Sequence, residues 1–361
     1  MILKRSVLTL AIAAACAVAA PVAASAVTGP AAGSAPVPAG LLPMASSWLS
    51  PSSGIVLAYP SRTTGAKPYL LVTADAGHTW RTLPAPPVRY PADNDQPDAV
   101  WADGAIVVTD GTHIEVTRDD GDRWTAERLP RGLYVDQLVI TGGRLFAMAT
   151  SDTRAAVYSG PLGGGTLRAV PGLSVSGGIA YGDITGVGAL QVDLGANFTT
   201  QRYWYSRDGV HFVSAPLPCP VTDVAMLGGV RDGHAVALCN AGPSAIGLGE
   251  TQNQVRIATR LGGAFRSSGP VTDSPNDLGF AAASASDMTV ATVFDLSVTR
   301  DAGRTWSAQI PQNNGAFWSD LSFTTATTGT VVCSTVNDKG GFVFTVYRTT
   351  NGGRAWQALR L

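Results

Sequence analysis

The stretch VTADAGHTW, residues 72–80, decides the fold of this chain. It returns as VTRDDGDRW at 116–124, and the pattern Ser/Thr-x-Asp-x-Gly-x-x-aromatic then recurs along the sequence. The copies are Thr73-x-Asp75-x-Gly77-x-x-Trp80, Thr117-x-Asp119-x-Gly121-x-x-Trp124 and Thr299-x-Asp301-x-Gly303-x-x-Trp306, with Thr349-x-Asn351-x-Gly353-x-x-Trp356 closing the chain. A fifth, from Ser206 through Asp208 to Phe212, is one residue shorter. Physically each is a turn: the Asp and Ser/Thr side chains accept bonds from the amides that follow, Gly supplies a positive φ, and the aromatic ring tucks into the core.

Spacing turns a local motif into an architecture. From Trp80 the aromatic positions advance by 44, 88, 94 and 50 residues, so the two long gaps are doubled periods. Each is expected to hold a worn copy, and YSGPLGGGTL (158–167) and Thr259–Phe265 stand where they are needed. Seven repeats result, with an average period of 46 residues. Before each turn lie two apolar or alternating runs, such as RLFAMAT or AVALC followed by IEV or LSV; earlier still comes a short strand such as DAVWAD or DLSFTT, and the aromatic opens a fourth. A period in the forties built from four short strands predicts an all-β fold, a seven-bladed β-propeller of four-stranded antiparallel blades.

The first residues carry Lys4 and Arg5, an apolar run and then Ala24-Ser25-Ala26, the layout of a cleaved signal peptide over 1–26. Cys16 offers an alternative, a lipid-anchoring box, but the branched residue that opens such a box is missing. Residues 27–43 are an uncharged Ala/Gly/Ser/Pro lead expected to be flexible, which leaves 44–361 for the propeller. Losing Lys4 and Arg5 takes the formal charge from −1 to −3, so nothing here forms an electrostatic footprint for nucleic acid. The expectation is a secreted, extracytoplasmic monomer with no membrane span. Cys219 and Cys239, a hairpin length apart, are the candidate disulfide, with Cys333 a buried thiol; the alternative is that all three are small core residues.

The turns resemble Asp-box (BNR) repeats, and the chain is similar to the sialidase-like propellers. Residues 317–356 in particular resemble a blade of the photosystem II assembly-factor type. The resemblance implies the fold and leaves activity open, because such turns occur in hydrolases, binding proteins and assembly factors alike. A sialidase-like glycoside hydrolase would need a Tyr nucleophile with a Glu partner and an arginine cluster for the substrate carboxylate. The expected inner strands (about 46–49, 98–102, 135–140, 177–182, 222–227, 276–281 and 320–325) contain no Arg, Lys, Glu or His, and the only glutamates are Glu115, Glu127 and Glu250. No catalytic residues and no metal-ligand spacing are assigned. The expected function is an exported binding or assembly module for an extracellular protein or glycan, with the hydrolase as the alternative.

Two groups of residues are candidates for binding. Asp98, Asp136, Asp223, Asp277 and Asp320 stand at the beginnings of inner strands, where they could ring one mouth of the channel and attract a basic segment or a divalent cation. The competing reading is that each caps its own turn. Long connections on the same face, 85–99, 193–201 and 240–254, supply Arg89, Tyr90, Asp93, Asp95 and Asn197 as expected contacts.

Overall fold

The computed structural model describes residues 36–91, 97–197, 199–241, 253–271, 277–292, 294–311, 316–337 and 341–361. The expected signal peptide, most of the lead, and Asp93, Asp95 and Glu250 lie outside the described residues.

Seven antiparallel sheets follow one another along the chain as the blades of a seven-bladed β-propeller. Their innermost strands are Leu42–Trp48, Asp98–Ala102, Tyr134–Thr141, Ala180–Thr185, Asp223–Arg231, Asp277–Ala282 and Ala316–Phe323. The first therefore begins inside the expected lead, and Val37 and Leu41 pack on the core as well. Blade 3 departs from the simple plan. Its Gly165–Thr166 segment pairs in parallel with Thr125–Arg128 of blade 2, making that sheet five-stranded.

Each aromatic turn joins the third strand of its blade to the fourth, and the bonds have the expected geometry. In blade 1 the Thr73 hydroxyl donates to Asp75 at 2.8 Å and accepts from the Gly77 N–H at 3.0 Å, while Asp75 accepts from the Thr79 N–H at 2.9 Å. Asp119, Asp208, Asp301 and Asn351 repeat the arrangement. The aromatic side chain packs against the preceding blade: Trp124 joins the seam between blades 1 and 2, Phe212 packs on Phe146 of blade 3 at 6.4 Å, and Phe265 on Tyr203 of blade 4 at 5.7 Å. The worn turn of blade 3 uses Leu167 in that place, fully buried. The period in the sequence is thus the period of inter-blade seams.

First-to-second strand hairpins are tight where the sequence reads Asp-Gly or Gly-Gly. Asp103-Gly104, Gly142-Gly143 and Asp232-Gly233 all take positive φ at both positions, the twist-matched two-residue turn of an antiparallel pair.

The ring closes between the last blade and the first. Val332 and Val346 of blade 7 pack with Val56, Ala58 and Leu71 of blade 1, with Trp80 and Leu359 against them. Arg348 stacks on Trp48 at 5.1 Å and donates to the Ala76 and Pro51 carbonyls. Among the described residues no helix is long and apolar enough to cross a membrane.

Candidate functional site

The channel is lined by the seven inner strands, and their polar side chains reach forward from blade to blade. The Ser47 hydroxyl accepts the Trp101 N–H at 3.0 Å, Asp98 the Leu138 N–H at 3.2 Å, and Gln137 the Ile184 N–H at 2.8 Å. Asp183 takes the Leu227 N–H at 2.5 Å and the Gln137 side-chain amide at 2.9 Å. Asp320 ties the last blade to the first by accepting the Ser46 N–H at 2.7 Å. A β-bulge between Ser319 and Ser322, with Asp320 at φ 53, aims this last carboxylate across the seam.

The five aspartates of the expected ring therefore do not act alike. Asp98 and Asp320 are clamps between blades, and burial raises both carboxyls, Asp98 to about 6. Asp320 is raised further by the charge of Asp98. Asp223 starts its strand and accepts from the Thr222 hydroxyl at 2.8 Å, Asp136 is exposed as the third residue of its strand, and Asp277 begins the inner strand of blade 6. Asp183 belongs with the clamps although the expected inner strand of blade 4, 177–182, ended one residue before it; the observed strand is Ala180–Thr185. The inner strands also contain an arginine, contrary to expectation. Arg231 ends that of blade 5 and donates to the carbonyls of Ala282 and Phe323 in the next two blades, tying them together.

The expected loop contacts divide in the same way. Tyr90 is buried, with its ring edge-on to Tyr59 at 5.2 Å, so it offers no exposed contact. Arg89 is exposed, its guanidinium folded back on the Val88 carbonyl at 2.8 Å. Asn197 sits at φ 55 in a tight hairpin between Leu190–Ala196 and Thr199–Ser206, which replaces the long connection expected there. Of connection 240–254, residues 242–252 lie outside the described ones.

Cys219 and Cys239 form a disulfide with Cα atoms 5.5 Å apart, and Cys333 is a buried free thiol. Glu127, which follows a turn in the sequence, is 5% exposed and accepts the N–H groups of Gly163 at 3.2 Å and Gly164 at 2.7 Å, clasping blade 3 to blade 2.

Two cavities open along the inner strands. One, of about 420 Å³, is the channel itself, walled by Gln137, Tyr181, Asp183, Met226, Phe280 and Asp320 among others. Burial pushes the Tyr181 hydroxyl well above its ordinary range, the opposite of what a phenolate nucleophile needs.

The other, of about 360 Å³, is a groove where the seam between blades 7 and 1 reaches the face bearing the inner-strand starts. Strand length makes it. The first three strands of blade 7 (Ala316–Phe323, Gly329–Val336 and Phe342–Thr349) have eight residues each, against seven, six and five in blade 1. Cross-strand pairing lines up Phe317, Ser334 and Phe344 in one row and Val336 with Phe342 in the next, all on the face of blade 7 turned to blade 1. Met44, Trp318 and Val332 add to the walls, and Arg62 stands opposite. Phe317 is 64% exposed and Phe342 42%, with Val336 also open to solvent.

Arg62 is fixed from two sides. Its guanidinium lies over the Phe342 ring at 4.7 Å, and its Nε donates to the Tyr90 hydroxyl at 2.8 Å. Among the described residues it is the single arginine in the lining of these two cavities, and that lining contains no glutamate. The alternating FVF run at 342–344 and the aromatic pair at 317–318 were the signals for this groove, but the overhang depends on relative strand lengths that apolar runs do not specify.

No family model matches the sequence, and no curated protein matches it. The likeness to solved structures is one of fold. A YCF48 solved bound to a D1 peptide superposes with a TM-score of 0.57 at 12% identity, over 88% of this chain and 96% of that one. YCF48 from Cyanidioschyzon merolae gives 0.57 at 12%, over 89% and 99%. A polysaccharide lyase of family PL25, an ulvan lyase, gives 0.55 at 9%, over 87% and 93%.

Proposed function

We propose that this chain is an exported, non-catalytic binding module whose ligand face is the one bearing the inner-strand starts. The observation that carries the proposal is the overhang of blade 7. It holds Phe317, Phe342 and Val336 in solvent, where monomeric proteins seldom leave large apolar side chains clustered unless a partner covers them. Asp98, Asp183 and Asp320 are committed to holding blades together, which leaves them poorly placed for acid–base work. Among the described residues, the linings of the channel and of the groove hold one arginine and no glutamate, which speaks against the carboxylate clamp and Tyr–Glu pair of a glycoside hydrolase. The YCF48 structure, a similar ring with a peptide bound, supports a protein ligand; the lyase keeps a glycan-active alternative in view. The layout of residues 1–26 supports export, and the Ala/Gly/Ser composition of 27–35 a tether ahead of Val37, where packing on the ring begins.

Site-specific photocrosslinking tests the proposal. The photoreactive residue p-benzoylphenylalanine replaces Phe317 in one variant and Val210, exposed in the turn after Asp208 on the opposite side, in another; both are incubated with the exported proteins of the source cells. Discrete adducts at position 317 and none at 210 are expected, together with no turnover of a fluorogenic sialoside and polyuronide panel. Equal labelling at both positions, or turnover of any of these glycans, overturns it.

A further inference from the structure

The polar groups of the groove are nearly all spent within the protein. Trp318 Nε1 donates to the Thr292 carbonyl at 2.6 Å, the Ser319 hydroxyl to the Met44 carbonyl at 3.5 Å, and Arg62 Nε to Tyr90. Ser334, 8% exposed, is the remaining hydroxyl. What is left facing the groove is the outer fork of Arg62, its two Nη atoms, for which no carboxylate partner exists among the described residues. A guanidinium held by a ring beneath it and a hydroxyl at its Nε has lost most of its rotamer freedom, and its free edge presents two parallel donors matched to one carboxylate. Next to that fork the walls are aromatic and aliphatic. A sugar would bring several hydroxyls to a surface with one free donor pair and so leave most of them unpaired, whereas a peptide can bring one charge and one apolar group.

We infer that the groove between blades 7 and 1 receives an extended peptide segment that pairs a carboxylate with a large apolar side chain: the carboxylate on the Nη atoms of Arg62, the apolar side chain against Phe317, Phe342 and Phe344. This rests on the groove being the binding face. The cation–π contact with Phe342 couples the two halves of the site, since the ring that holds the guanidinium also forms the apolar wall.

The test is a random nine-residue peptide library selected on the full mature chain, with fluorescein-labelled hits measured by anisotropy. Enrichment of Asp or Glu within three residues of Phe, Leu or Trp is expected. For such a peptide, Arg62→Gln weakens binding at least tenfold, and replacing the peptide's acid by its amide weakens binding to the parent protein equally. The two changes together cost little more than either alone, and Phe317→Ser weakens the acid and amide peptides alike. Hits that lack acids and bind Arg62→Gln normally, yet remain sensitive to Phe317→Ser, overturn the carboxylate and leave the binding face standing. Hits indifferent to both substitutions, or no hits, overturn the inference as a whole; crosslinking at position 317 then tells whether the face itself has failed.

Discussion

The Asp320 carboxylate accepts the main-chain N–H of Ser46 at 2.7 Å across the seam where the last blade meets the first, 274 residues away in sequence. A ring of blades is only as stable as its closure, and this bond is made by a residue that a bulge holds in the left-handed region. Replacing Asp320 by Ala removes the acceptor, strands a buried N–H and gives up a residue type that tolerates that backbone. The expected cost is about 1–3 kcal/mol. Asp320→Asn keeps both an acceptor and the backbone tolerance and should cost much less. Urea denaturation of the two variants checks this; equal losses would mean that Ser46 finds another acceptor.

The inner carboxylates make stability depend on pH in a defined direction. Burial raises the folded-state value of Asp98 to about 6, above the roughly 3.9 of an unfolded Asp. Its protonated form is favoured by folding, so the contribution is complete below about pH 4 and lost as the pH rises through 6. The turn aspartates oppose this on the acid side. Bonds from the Thr305 hydroxyl and N–H hold Asp301 near 2, so its contribution is present above about pH 4 and lost as the pH falls through 2. A stability maximum between about pH 4 and 6 is expected. Asp98→Asn should flatten the decline from about pH 4 to 6.5 without moving the acid limb, as read by Tm from about pH 2 to 7.5.

How much of this was legible before the structure follows from what each feature depends on. The turns were legible because every requirement of the lock is local: Thr73, Asp75, Gly77 and Trp80 fall within eight residues and satisfy one another. The worn turn of blade 3 could be placed by its spacing, since Leu167 fills a seam as an aromatic would. The inner aspartates were visible as a set, but their role was not, because the partner of Asp98 is an amide in the next blade and that of Asp320 an amide at the other end of the chain. Asp183 was missed for want of strand register, although the Asp-Ile pair at 183–184 matches Gln-Leu at 137–138: in both, an acceptor precedes an amide that donates to the blade before. Met226 occupies the corresponding place before Leu227 and has no acceptor to offer. The groove was least legible, being a difference between the lengths of strands in two blades.

Glu127 gives a test of the one seam where the blade plan is irregular. Its Oε1 collects two N–H groups from the Gly163-Gly164 turn, and the parallel pairing of Gly165–Thr166 with blade 2 follows directly in sequence. Glu127→Ala is expected to destabilise by about 2 kcal/mol through two amides left without an acceptor. Glu127→Gln retains an oxygen at the same place and should recover most of that. Hydrogen exchange at Gly163 and Gly164 localises the effect. Exchange unchanged in the Ala variant would show that the glycine turn stands without the clasp.

The interior of blade 4 leads to a stabilising substitution. Asp193 is 0% exposed and lies directly across the sheet from Asp183. The Thr200 hydroxyl donates to its Oδ2 at 3.3 Å, while its Oδ1 is buried with no hydrogen-bond partner, and no ion pair reaches it among the described residues. Burial pushes its carboxyl well above the ordinary range, and the charge of Asp183 pushes it further. Because its folded-state value is raised, Asp193 contributes most at low pH, and that contribution is lost as the pH rises toward and through the raised value. Asp193→Asn keeps the shape and the acceptor for Thr200 while removing the charge. The variant should therefore melt at a higher temperature than the parent at pH 7.5 and at nearly the same temperature at pH 4. A variant less stable at both pH values would show that the carboxylate is neutralised by a partner that the Asn amide cannot replace.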